Sequence, residues 1–144
     1  RINDNMGQYI AQQTIKHLIH HDCAVKGARV AILGMTFKEN CPDTRNSKVI
    51  DIIHELQHYG VICLAHGARA DAVTVKREYD IDLVEWDELQ LLNAMVLAVP
   101  HDEYKSFNAH ELKPKFASQP FMSDVKSVLD RNQYQAAGFS VWRL

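Results

Sequence analysis

Several groups of residues in this chain have types and spacings that could do chemistry. The first is the turn Gly34-Met35-Thr36-Phe37-Lys38-Glu39, which follows the apolar run Ala28–Leu33. A strand end opening toward a helix is where a dinucleotide fold binds phosphate. Lys38 and Arg45 bracket this loop. The helix start beyond it adds N–H donors and a positive dipole end. Two cations and a helix start suit a phosphate or a carboxylate. The loop carries Gly34 alone, so the full glycine fingerprint is absent. On these residues by themselves, a solvated loop with ordinary surface charges is the stronger reading.

The second group is His54-Glu55-Leu56-Gln57-His58. Histidines one turn apart on a helix can share a zinc ion, with the glutamate as base. Val49, Ile50, Ile53 and Leu56 form the apolar stripe of the same helix, which leaves Asp51, Glu55 and His58 on a solvated face. The solvated face is the preferred reading, and no metal is expected. Cys41 sits beside the loop, but Asn40 and Pro42 offer it no base. Cys23 and Cys63 read as small apolar residues. His17, His20 and His21 could gather a metal or form a polar helix face, and the polar face is preferred. His101-Asp102 follows the third apolar run, where it either meets a ligand or caps the next helix.

Composition narrows the function classes. The chain has 144 residues, 47% of them apolar, and a formal net charge of -2. That length fits one domain with a substantial core. The charge balance gives no footprint for nucleic acid. No apolar run reaches membrane-spanning length, and no signal peptide is visible. Three cysteines without close pairing read as a reduced, cytoplasmic chain. The chain starts at Arg1 with residues that already look helical, so a piece of a longer protein is expected.

The elements that position these groups alternate. A helix is expected over Ile2–His21, with apolar residues at Ile10, Ile15 and Leu18. Strands are expected at Ala28–Leu33, Val61–Ala65, Met95–Val99, Phe121–Met122 and Phe139–Trp142. Between them come a helix capped by Asn46 or Ser47 and stopped by Gly60, helix-like segments at Asp71–Tyr79 and Trp86–Leu91, a short helix within Phe107–Phe116, and a helix over Asp130–Ala137. This predicts an α/β fold, a Rossmann-like three-layer sandwich with a mostly parallel sheet. The first helix reads as part of a long connecting or dimerising helix over residues 1–22, ahead of the binding domain at 23–144. Its apolar stripe is expected to need cover from a partner.

The run from Gly34 to Lys48 resembles the signature opening the C-terminal, UDP-binding domain of the UDP-glucose/GDP-mannose dehydrogenase family. The similarity extends to Arg1-Ile2-Asn3-Asp4, to Val96–Tyr104, to Asp124-Val125-Lys126 with Val128-Leu129-Asp130, and to Trp142-Arg143-Leu144. The form Lys38-Glu39-Asn40-Cys41-Pro42-Asp43, followed by Arg45-Asn46, most resembles the branch acting on UDP-N-acetylhexosamines. The resemblance implies substrate contacts from Phe37, Lys38 and Lys126, and a cofactor contact from Arg45 across a domain cleft. It implies a UDP-sugar substrate oxidised at C6 with NAD, for surface polysaccharide synthesis. It also implies an N-terminal NAD domain in the same chain, a homo-oligomer, and no nucleic-acid or membrane partner. The family's Cys-Phe-Pro-Lys motif is absent, so no catalytic residue and no activity are expected of this chain alone. Ala65-His66-Gly67-Ala68 stands where relatives commonly carry Asp-Pro, which argues against ordinary NAD binding here. The competing classes are a free-standing nucleotide-binding or oligomerisation module, and a zinc hydrolase resting on the histidine motif.

Overall fold

The computed structural model describes residues 2–36, 40–44 and 48–144, with side chains from residue 5 onward. Five strands form one sheet: β1 (Arg29–Leu33), β2 (Ile62–His66), β3 (Ala94–Leu97), β4 (Phe121–Asp124) and β5 (Ser140–Arg143). Their order is β2-β1-β3-β4-β5, and every pairing is parallel. The helices are α1 (Ile2–His20), α2 (Val49–His58), α3 (Ala72–Tyr79), α4 (Asp102–Lys105), α5 (Ala109–Leu112) and α6 (Arg131–Ala136).

Alternation along the strands builds two cores. Val30 and Ile32 of β1, Val96 of β3 and Phe121 of β4 face one layer, with Ile53 and Leu56 of α2 and Val75 of α3. Ala31, Leu33, Met95, Leu97 and Met122 face the other, with Tyr104, Leu112, Phe116 and Tyr134. Successive side chains of a strand point to opposite faces, so a sheet covered on both sides needs apolar residues at every position. The three-layer expectation is met. The strand boundaries differ by a residue or two, because the hydrogen-bonded ladder and the apolar run end at different places.

The first helix departs from expectation in a specific way. Ile10, Ile15 and Leu18 are only 3%, 6% and 2% exposed, buried in the same core as α2 and the sheet. The stripe therefore has its cover within this chain. Gly7 permits the close crossing of α1 and α2: a Cβ there would lie 2.6 Å from the Cβ of Asp51.

Two further segments differ. Trp86–Leu91 forms only a 3-10 turn at Trp86–Glu88, closed by a reciprocal Glu85–Glu88 capping box. Lys115 then stops it, donating to the carbonyls of Trp86 (3.0 Å) and Leu89 (3.4 Å). Helix α2 begins at Val49, past the expected caps Asn46 and Ser47, which lie outside the described residues. Asp71 and Asp130 cap α3 and α6, each accepting from a backbone N–H of the first turn.

Candidate functional site

In this strand order the direction of winding reverses between β1 and β3. The carboxyl ends of those two strands therefore frame the crevice where open α/β sheets bind ligands. A cleft of about 680 Å³ opens there. Thr36 beyond β1 and Ala98, Val99 and Pro100 beyond β3 form its floor. Met6, Gly7 and Ile10 of α1 form one wall. The start of α2 (Lys48, Val49) and the segment after β4 (Val125, Lys126, Val128) complete it. The volume is in the range of small-molecule and cofactor sites. Two lysines and a helix N-terminus in a mostly apolar cleft suit a phosphorylated ligand with a ring system.

Gly34 makes the floor possible. Its φ is +98°, and a Cβ on it would lie 2.6 Å from the Cβ and 2.8 Å from the carbonyl oxygen of Val99. The exits of β1 and β3 thus pack backbone against backbone, with the Gly34 N–H bonded to the His66 carbonyl (2.9 Å).

Lys126 is positioned by its neighbour in the sequence. Asp124 is fully buried at the end of β4. Its Oδ1 accepts from the Val128 N–H (3.1 Å) and its Oδ2 from the Leu129 N–H (2.8 Å). These bonds fold residues 125–129 into a turn, with Ser127 at φ 56°. Lys126 stands exposed on that turn, at the cleft.

The loop after β1 is tied down at its described points. The Asn40 N–H donates to His101 Nδ1 (2.8 Å), and the Thr36 hydroxyl lies 3.0 Å from His101 Nε2. The Asp102 N–H donates back to Asn40 Oδ1 (3.1 Å). Asn40 takes φ 56°, a left-handed conformation that asparagine tolerates. Further on, the Tyr79 hydroxyl donates to the Thr44 carbonyl (2.6 Å). His101 therefore neither faces the cleft nor caps α4 with its side chain; it is fully buried and bridges two segments.

Of the residues expected to bind ligand, Lys126 lines the cleft. Phe37, Lys38 and Arg45 lie outside the described residues; Thr36, next to Phe37, lines the cleft, as does Lys48, whereas Thr44, next to Arg45, does not. The sequence reading missed Lys48, Thr36 and the Asn40–His101 staple. Lys48 ends the signature run and could have been found there. The staple joins residues about sixty positions apart and leaves no local signal.

The remaining motifs fall elsewhere. The carboxyl end of β2 does not fit a dinucleotide ribose. No carboxylate stands at Ala65–Ala68, and the Tyr104 hydroxyl occupies the place, 2.7 Å from His66 Nδ1 and accepting from the Ala68 N–H (2.9 Å). Burial pushes the Tyr104 hydroxyl up and the His66 imidazole down from their ordinary ranges. His54 and His58 are exposed on α2, while Glu55 accepts from Gln12 of α1 (3.3 Å). His17 stacks on Phe121 at 3.6 Å between ring centres, and burial lowers its pKa to about 4. Among the described residues no cluster of three or more His, Cys, Asp or Glu is arranged to hold a metal ion. All three cysteines are free thiols, and burial pushes Cys63 up to about 12. Among the described residues no helix is long and apolar enough to cross a membrane.

Residues 31–131 match the family model described as the UDP-glucose/GDP-mannose dehydrogenase family, UDP binding domain. The chain belongs to the UDP-glucose/GDP-mannose dehydrogenase family. The matched span runs from within β1 through β4, and so holds the floor of the cleft, the loop after β1 and the turn bearing Lys126. Protein CapL of Staphylococcus aureus is 38% identical over 144 residues, covering 100% of this chain and 34% of CapL. The UDP-N-acetyl-D-glucosamine 6-dehydrogenase of Salmonella typhi is 38% identical over 133 residues, covering 92% of this chain and 31% of that enzyme. This UDP binding domain thus spans about a third of the curated relatives it matches. Its fold matches the NDP-N-acetyl-D-galactosaminuronic acid dehydrogenase of Methanosarcina mazei Go1, with a TM-score of 0.88 at 20% identity, over 97% of this chain and 29% of that one.

Proposed function

We propose that this chain is the sugar-nucleotide-binding part of an NAD-dependent UDP-sugar 6-dehydrogenase. One observation carries the reading: the cleft at the carboxyl ends of β1 and β3 is apolar in its floor and ringed by Lys48, Lys126 and the start of α2. In this reading the lysines and helix N–H groups meet the diphosphate, and the apolar floor meets a ring. Phe37 and Lys38 contact the UDP-sugar from the loop, and Lys126 from the turn after β4. The substrate is a UDP-N-acetylhexosamine, in keeping with the activity for which the Salmonella typhi relative is named. The product uronic acid serves surface polysaccharide synthesis in the cytoplasm.

The end of β2 does not fit the ribose of NAD, so the dinucleotide belongs to another domain of the same protein. Bound there, the nicotinamide would supply the oxidising chemistry for the C6 alcohol of the sugar. This chain's part is to hold the sugar nucleotide and to reach the cofactor through Arg45. The whole protein is a homo-oligomer in this reading, and α1 joins its domains.

Isothermal titration of the chain with UDP tests the proposal. Binding is expected, weakened about tenfold by Lys126→Ala, the loss of one charge-assisted bond. No NADH should form from any UDP-sugar with this chain alone. Absence of UDP binding by the unaltered, folded chain would sink the reading.

A further inference from the structure

We propose that His101 is a positioning residue of the nucleotide-sugar site, acting through the two loop residues its ring clamps. The inference rests on the reading above, in which Phe37 and Lys38 contact the UDP-sugar. Its own observation is separate. The two ring nitrogens of one buried imidazole hold Thr36 and Asn40, the residues flanking the 37–39 segment on either side.

The ring's chemistry fixes the arrangement. The Asn40 N–H donates to Nδ1, so Nδ1 presents a lone pair and carries no proton. The proton of the neutral ring is then on Nε2, and it is donated to the Thr36 hydroxyl oxygen. Neither bond can be exchanged for the other without turning the ring, and the ring is fully buried. The Asp102 N–H to Asn40 Oδ1 bond (3.1 Å) adds a return tie from the residue next to His101. The loop ends are thereby registered against the β3 exit, the same backbone that forms the cleft floor. Thr36, held by one of these bonds, itself lines the cleft. Loss of a tie lets the cleft edge at Thr36 shift, and misplacement of a binding surface costs affinity.

Substitutions separate the two bonds. An asparagine at position 101 puts an acceptor near the place of Nδ1 and retains the tie to Asn40. A glutamine puts its amide near the place of Nε2 and retains the tie to Thr36. Phenylalanine keeps the volume and removes both. UDP affinity is measured by calorimetry, well below the melting temperature of each variant. His101→Phe is expected to weaken UDP about tenfold, the equivalent of one to two lost hydrogen bonds. His101→Asn and His101→Gln should fall between it and the unaltered chain, and should differ from each other. Lys38→Ala is measured alongside.

Several results decide the matter. If Lys38→Ala weakens UDP while folded His101→Phe binds within twofold of the unaltered chain, the positioning role is overturned and the site reading stands. If Lys38→Ala has no effect, the site reading fails and takes this inference with it. A lowered melting temperature with unchanged UDP affinity means a structural role only, and also overturns the proposal. If His101→Phe does not fold, the Asn and Gln variants carry the test, and equal affinity in the two overturns it.

Discussion

The Asp124 carboxylate accepts the Leu129 N–H at 2.8 Å from inside the protein, where no water reaches it. This relationship explains why an acidic residue stands two positions before Lys126. The carboxylate holds the turn, and the turn holds the lysine at the cleft. Asp124→Ala leaves two N–H groups without their acceptor, and should cost about 1–3 kcal/mol. Urea unfolding of the variant measures this. UDP affinity of the folded fraction should fall as well, by about as much as in Lys126→Ala. A stable Asp124→Ala protein would show that water replaces the carboxylate.

Gly34 and Gly27 offer a controlled comparison. Both have positive φ, +98° and +85°. An added Cβ at Gly27 meets nothing within 4 Å, whereas at Gly34 it meets Val99 at 2.6 Å. Gly27→Ala should therefore cost about 1 kcal/mol, from backbone conformation alone. Gly34→Ala should cost at least about 2 kcal/mol, since the strand exits must also part. Equal denaturation midpoints for the two variants would refute the close-approach argument.

Acid should weaken the fold through His17. Burial, then the charges of His21 and His20, lower its pKa from 6.5 to about 4 in the folded chain. The unfolded chain thus takes up a proton more readily than the folded one between those values. Stability from this group is fully present above pH 6.5, declines as pH falls toward 4, and changes no further below it. The loss should be no more than about 1–2 kcal/mol, because His17 is only partly buried and its charge is screened. Comparing urea midpoints at neutral and mildly acid pH for the unaltered chain and His17→Leu checks it: the variant should lose less on acidification. An identical pH response in both would rule His17 out as the source.

In the dehydrogenase proposed above, Lys38→Ala and Arg45→Ala should separate in kinetics. The first should mainly raise the KM for the sugar nucleotide and the second that for NAD. Each change should be roughly ten- to a hundredfold, the effect of one lost charge-assisted bond of about 1.5–3 kcal/mol. General destabilisation would raise both constants together in either variant. If Arg45→Ala, still folded, left NAD kinetics unchanged, its cofactor role would be withdrawn.

The sequence by itself determined the alternation of elements, and with it the three-layer sheet. Ala28–Leu33 and Met95–Val99 are apolar at nearly every position, which only a strand covered on both faces requires. Gly60 and Gly138 closed their helices, and Asp71 and Asp130 opened theirs, because caps act over a few residues of one segment. The position of the Gly34 loop at a strand end was legible for the same local reason, but its residues alone favoured a solvated loop, and Lys126 was singled out only by the resemblance to the family. The destination of the α1 stripe was not legible. Ile10, Ile15 and Leu18 demand cover, but a periodic pattern does not say whether the cover is the same chain or another. The role of His101 was equally hidden. Its ring nitrogens bond to Thr36 and Asn40 across a chain separation that only the parallel pairing of β1 and β3 closes. Hydrogen bonds between segments are set by three-dimensional register, and a single sequence records the residue types without recording who meets whom.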